Sequence, residues 1–341
     1  MLSWQQTQGP APVRPLARHP LLLVAEQAGA KAAGSGTLVN QPWLVRVLGR
    51  SLRTTAGDHE RSAGGAPKSP RAARFGPGNP LVVLVVGGKG GCGRTTFALD
   101  LADAFCHLND FRQVLLVDAD GVDPDIDLRV GAFAAGRDLM PSARLNELVL
   151  RFAELHEGRL GIESCLWSGP GLGFQTLLAP LTESGRPGVG REHLDYLWEH
   201  FLAPRFDAVI VDGGPVTPAP GLLLEFFAER SARALVPVGP SEGHLRSCRR
   251  TIAGLGPRAG LGRGDWLAVI GTDSRHVARS LQPKLAAEGL ELEAVPWGGA
   301  KSALAEARHL PRAALDRAAR EASLSLAVRI VEQVALRDVV G

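Results

Sequence analysis

Cysteine is sparse in this chain of 341 residues: Cys92, Cys106, Cys165 and Cys248 stand far apart, with no C-x-x-C pair and no histidine at zinc spacing. The scatter excludes a disulfide framework and a structural zinc site, and leaves reduced thiols as the expectation. Long apolar runs are missing too. Leu21 to Ala25 and Leu81 to Val86 are the nearest candidates, far short of the roughly 18 residues a membrane-crossing helix needs. The first follows Arg14 and Arg18 but is stopped by Glu26, which leaves no room for the apolar region of a secretion signal. A cytoplasmic protein with no transmembrane segment is therefore expected. Acidic residues are scarce at the N-terminus, where the first 80 residues hold ten Lys or Arg against Glu26, Asp58 and Glu60 alone. The overall excess of +3 thus belongs to that segment, and the remainder is slightly acidic. Such asymmetry suits either a basic arm that meets DNA, an anionic membrane or an acidic partner, or a solvated tail.

Punctuation concentrates in the same place. Pro10, Pro12, Pro15 and Pro20 are followed by Gly34 and Gly36, and Gly57 to Pro80 is rich in Gly, Ala, Pro, Ser and Arg. A stretch of that composition buries too little apolar area to offset the entropy of ordering it. Residues 1–79 are therefore expected to form a basic, largely irregular extension. Within it, Trp43, Leu44, Val47, Leu48 and Leu52 recur at helical spacing with Arg46, Arg50 and Arg53 between them. A short amphipathic helix over 43–53 is predicted, one that lies on a membrane, docks on a partner or packs on the rest of the chain.

From Pro80 to the C-terminus the texture changes. With hydrophobic residues at 45% and charged residues at 21% of the chain, there is ample apolar surface for a core. Short β-branched runs predict strands at Leu81 to Val86, Val114 to Val117, Phe174 to Leu178, Ala208 to Val211, Ala234 to Val238, Leu267 to Ile270 and Glu293 to Val295. Helical stretches separate them, the first from Thr95 to His107 and the last from Arg312 to Leu336. Uninterrupted apolar strands alternating with helices specify a sheet buried on both faces. The expectation for 80–341 is an α/β domain, doubly wound, with a mostly parallel sheet flanked by helices on both faces. Such a fold binds its ligand at the carboxyl ends of the strands.

Immediately after the first strand stands Gly87-Gly88-Lys89-Gly90-Gly91-Cys92-Gly93-Arg94-Thr95-Thr96, which from Gly88 fits G-x-x-x-x-G-[K/R]-T with Arg94 at the usual lysine position. Glycines let backbone N–H groups turn inward around a phosphate, and the positive end of the following helix adds to the attraction. Thr95 then offers its hydroxyl to a magnesium ion on the outer phosphates. The second strand ends in Asp118-Ala119-Asp120, followed by Asp123, Asp125 and Asp127. Carboxylates at that mouth can orient a water or hold magnesium through water. The spacing lacks the glycine and glutamate of a calcium-binding EF-hand loop, so the last three read as a solvated loop. The fourth strand likewise ends in a carboxylate, Asp212, and a Gly213-Gly214-Pro215 turn.

The run K-G-G-C-G-R-T-T from Lys89 to Thr96 resembles the deviant Walker A loop of the MinD/ParA family of P-loop ATPases. The resemblance spans about residues 80 to 335. It implies an ATP- and Mg2+-dependent protein in which Lys89 reaches the nucleotide of a partner subunit, so that the ATP-bound state is a face-to-face homodimer. It assigns Gly88 to Thr96 to phosphate binding and Asp118 and Asp120 to the first switch, with Asp120 positioning the attacking water. Asp212 becomes the carboxylate that holds magnesium through water. An adenine-reading Asn is implied just after the sixth strand, where this chain has Asp273, and Pro296 matches the loop that packs against the base. Arg94 departs from the family lysine: guanidinium keeps the charge but is larger, planar and suited to bidentate contacts, which bears on the rate of hydrolysis.

Within the family, Val114 to Gly131 and Phe174 through Asp212 look most like the CpaE/TadZ branch, which localises pilus and secretion machinery at a cell pole. The implied activity is a Mg-ATPase that positions or assembles a protein partner. A nucleotide-locked scaffold with slow turnover is the alternative. A third reading, DNA binding like that of partition proteins, draws on Arg246, Arg249, Arg250 and Arg258.

Overall fold

A computed structural model of the chain describes residues 75–87, 91–121, 124–132, 144–180, 189–216, 221–296, 305 and 308–340. The N-terminal extension with its expected helix over 43–53 lies outside the described residues, as do Gly88, Lys89, Gly90 and Asp123.

The chain alternates strands and helices: β1 (Leu81–Gly87), α1 (Arg94–Cys106), β2 (Val114–Asp118), the short helices α2 (Ile126–Arg129), α3 (Leu145–Leu150) and α4 (Phe152–His156), then β3 (Gln175–Leu177), α5 (Arg191–Leu197) and β4 (Ala208–Pro215). It continues through α6 (Leu222–Ala228), β5 (Arg233–Pro237), α7 (Glu242–Ala259), β6 (Trp266–Gly271), α8 (Arg275–Ala286), β7 (Glu291–Val295), α9 (Arg312–Leu315) and α10 (Arg317–Val340). The strands form one seven-stranded sheet in the order β3-β2-β4-β1-β5-β6-β7. Every pairing in it is parallel.

Strand periodicity explains why β1 is apolar throughout. Val82, Leu84 and Val86 point to one face, where they pack with Val209, Val211, Leu224, Phe227 and Leu245. Leu81, Val83 and Val85 point to the other, against Phe97, Leu101 and Phe105 of α1 and Leu326 and Ile330 of α10. Two cores with a shared sheet leave no polar face on the central strands. The expected doubly wound architecture is the one observed.

Several expected boundaries move by a residue, and in four elements the change has a local reason. β3 spans only Gln175–Leu177 rather than 174–178, because this edge strand pairs with β2 alone and Leu178 bridges Arg144 instead. β7 begins at Glu291, two residues early; Glu291 and Glu293 interrupt the apolar signal because they turn outward to grip Arg329. β4 runs on through Gly213 and Gly214 to Pro215, with a shift of register against β1 between Val85 and Gly87. The last helix is not continuous: Asp316 is extended at φ −117 and ψ 110, and divides α9 from α10. Its carboxylate accepts from the N–H of Ala318 at 3.0 Å, the work of a helix N-cap. Just before this break, the buried Arg312 meets the buried Asp100 of α1 at 2.7 Å, which ties the C-terminal segment to the helix that follows the glycine-rich loop. Among the described residues no helix is long and apolar enough to cross a membrane.

Candidate nucleotide site

β1 delivers the glycine-rich loop to the carboxyl edge of the sheet, at the strand with neighbours on both sides, β4 and β5. Gly91 and Gly93 adopt φ of 75 and 85, the left-handed region that side chains disfavour. Gly93 is the residue before α1, so the N–H groups of Arg94, Thr95 and Thr96 open the helix with no acidic side chain in its first turn. These amides have no intrahelical acceptor. Cys92 sits beside them with its thiol pushed up by burial, against the opposing pull of Arg94, which keeps it a neutral lining group.

Asp118 and Asp212 are exact neighbours in the ladder that joins β2 to β4. Both are almost wholly buried, at 2% and 1% exposure. Burial, and next the charge of Asp212, push the Asp118 carboxyl well above the usual range. Burial raises Asp212 to about 6 in spite of the hydroxyl of Thr95, which donates to it, and the nearby charge of Arg94. Two adjacent buried carboxylates favour a cation. Among the described residues no group of three acidic, His or Cys side chains could hold a metal by itself. The Thr95 hydroxyl and the Asp118 and Asp212 carboxylates are a donor set that suits magnesium, which takes one or two carboxylates together with phosphate oxygens and waters.

Asp120 lies two residues beyond the end of β2, with its carboxylate 3.5 Å from the guanidinium of Arg94. A Cβ added to Gly214 would fall 2.3 Å from the Asp120 carboxyl carbon, so that carboxylate occupies the space that the missing side chain leaves. Gly214 itself has φ 62. Arg94 in turn runs over Gly87, where a Cβ would lie 3.2 Å from its Cδ. The end of β1, the start of α1, the end of β2 and the end of β4 thus close on one another through four named residues.

Asp273 and Pro296 line one cavity of about 410 Å³, together with Thr272, Ser274, Arg275, Ala278, Arg279 and Ala294. The cavity opens at the carboxyl ends of β6 and β7. β6 is two strands from β1, roughly 10 Å across the sheet at ordinary strand spacing.

Sequence reasoning did not find the part played by Gly214. The Gly-Gly-Pro signal marked a turn, whereas which carboxylate fills the space above a glycine depends on tertiary packing. Nor is the acidic run as solvated as its composition suggests. Asp127 pairs with the buried Arg144 at 2.5 Å, and Arg144 also donates to the carbonyl of Ala179. Asp125 pairs with Arg129 one helical turn away at 2.8 Å. Of the four arginines considered for DNA, Arg249 is paired with Glu288 and Arg258 with Glu225.

No protein-family model matches the chain, and no curated protein does. Solved structures do. A ParA family ATPase from Chlorobium tepidum TLS superimposes with a TM-score of 0.58 at 17% identity, over 73% of this chain and 98% of that one. The MinC:MinD cell division protein complex of Aquifex aeolicus gives 0.55 at 20% identity, over 74% and 96%. The septum site-determining protein MinD of Pyrococcus horikoshii OT3, complexed with Mg-ADP, gives 0.51 at 17%, again over 74% and 96%. With its seven parallel strands flanked by helices, the chain has the fold of the MinD/ParA-type P-loop ATPases.

Proposed function

We propose that this chain binds Mg-ATP at the loop Gly88 to Thr96, pairs with a second copy of itself when loaded, and uses that state to position or assemble a protein partner such as pilus, secretion, septum or partition machinery. The observation that carries the reading is the meeting of Thr95, Asp118, Asp120 and Asp212 beside the amides that open α1. In it, the loop amides and Arg94 bind phosphates, and Thr95, Asp118 and Asp212 hold magnesium directly or through water. Asp120 orients the attacking water, and Lys89 extends to the nucleotide of the second copy. Asp273 and Pro296 seat the base. Magnesium, when bound, neutralises charge on the outer phosphates. The Mg-ADP of the Pyrococcus protein and the MinC partner of the Aquifex protein support the choice of ligand and the expectation of a protein partner.

A second reading, a nucleotide-locked scaffold with slow turnover, is favoured by the ion pair between Arg94 and Asp120. The DNA-binding reading is weakened by the acidic partners of Arg249 and Arg258. The mass of the full-length protein in solution, with and without Mg-ATP, tests the proposal: a doubling with nucleotide is expected, and calorimetry that finds no affinity for any adenine nucleotide would refute it. Steady-state turnover by wild type and Arg94→Lys separates ATPase from scaffold, since the scaffold reading expects the lysine variant to be much the faster.

A further inference from the structure

The residue that departs from the family loop is also the one ion-paired with the carboxylate assigned to water. The stem of Arg94 packs over Gly87, and its guanidinium lies 3.5 Å from Asp120. Both side chains are largely withdrawn from solvent, at 13% and 7% exposure. A pair so shielded is little screened by salt. The Asp120 carboxylate also rests over the Cα of Gly214, so three segments hold it in place: the start of α1, its own loop after β2, and the end of β4. From this placement, and resting on the nucleotide reading above, we propose that Arg94 and Asp120 form a latch: without nucleotide the guanidinium is held by the carboxylate, and on loading Arg94 leaves Asp120 for the phosphates and so frees it to orient water.

Two consequences follow from the chemistry. A guanidinium offers five donors in a fixed fork, so it satisfies a carboxylate or a phosphate well but serves both at once only in a restricted geometry. ATP affinity is then lowered by the strength of the pair, because the competent arrangement is a minor one until nucleotide arrives. Removal of the carboxylate should therefore tighten binding, and should do so only where Arg94 is present to be released. A carboxylate that merely repelled phosphates would have the same effect whatever stood at position 94.

The test is a cycle of Mg-ATP affinities measured by calorimetry on the full-length chain. Asp120→Asn is expected to tighten ATP binding about tenfold in the wild-type background, and less than threefold in an Arg94→Gln background, which has no guanidinium to hold or release. Equal tightening in both backgrounds, or none in either, overturns the latch and leaves the nucleotide site standing. Failure of every variant, wild type included, to bind Mg-ATP overturns the site and the latch together. Thermal melting of the nucleotide-free proteins gives an independent arm: each single substitution should lower the melting temperature, and the double variant should melt no lower than the worse single one. Fully additive losses would show that the two side chains do not depend on each other, and would also overturn the proposal.

Discussion

Asp212→Asn should make the nucleotide-free protein more stable at neutral pH, although it removes a residue assigned to the site. In the fold the Asp212 carboxyl is raised from 3.8 to about 6, chiefly by burial. Above that value the native state carries a buried carboxylate that the unfolded chain would hold in water. A rise of this size corresponds to about 3 kcal/mol of lost stability once the group is ionised in both states. The loss is absent below the unfolded value near 3.8, where both states are protonated, and grows as pH rises through the window up to about 6. Asparagine has nearly the same shape, can still accept from the Thr95 hydroxyl and the Gly214 N–H, and carries no charge. At roughly 2 °C per kcal/mol for a domain of this size, the variant should melt about 6 °C above wild type at pH 8 and nearly level with it near pH 4. Melting curves across pH 4 to 8, without nucleotide or magnesium, decide the matter. If the variant melts below wild type at pH 8, or its advantage persists undiminished at pH 4, the argument from buried charge is wrong.

Gly214→Ala should cost about 2 kcal/mol or more, since φ 62 is strained for alanine and the new Cβ must displace the Asp120 carboxylate; urea unfolding reads the loss, and ATP affinity should change with it. Arg312→Ala leaves Asp100 buried without its cation and should destabilise by about 3–5 kcal/mol, whereas Arg312→Met with Asp100→Leu should restore most of that. The Ser241 side chain accepts from the N–H of His244 at the start of α7, so Ser241→Ala should cost about 1 kcal/mol by the same assay.

The central strands were legible because burial on both faces writes an unbroken apolar run into β1, β2, β4 and β5. The glycine-rich loop was legible because left-handed backbone at Gly91 and Gly93 demands the residue type that gives the motif away. Edges were harder to read. β7 hides its first half behind Glu291 and Glu293, whose charges answer Arg329 on α10, a partner that no local pattern reveals. The break at Asp316 was missed for the opposite reason: the residues on both sides are good helix formers, and one Asp in a helical stretch looks like a surface position rather than a cap. At the site, the sequence named Arg94, Asp118, Asp120 and Asp212 one at a time. Their mutual contacts depend on strand register and on which way a long side chain folds, and neither is written in local spacing. Asp273 and Pro296 came from family resemblance alone, and they line one cavity because β6 and β7 are paired in register from Leu267 to Gly271.

The C-terminal segment braces the elements that carry this cluster of buried acids. Arg312 fixes the start of α9 to Asp100 on α1, the helix that follows the glycine-rich loop. Three residues earlier, His309 takes φ 55, an unusual conformation for a side chain of that size, and its Nδ1–H donates to the carbonyl of Leu128 at 2.8 Å. Its ring also lies close over Gly131, where a Cβ would come within 3.1 Å. From the other side, the indole N–H of Trp167 donates to Val130. The end of the loop after β2 is therefore pinned at Leu128 to Gly131, and its beginning is held at Asp120 by Arg94. Strain at His309 persists because neighbours on both sides determine its place, which is the condition under which a fold keeps such a residue.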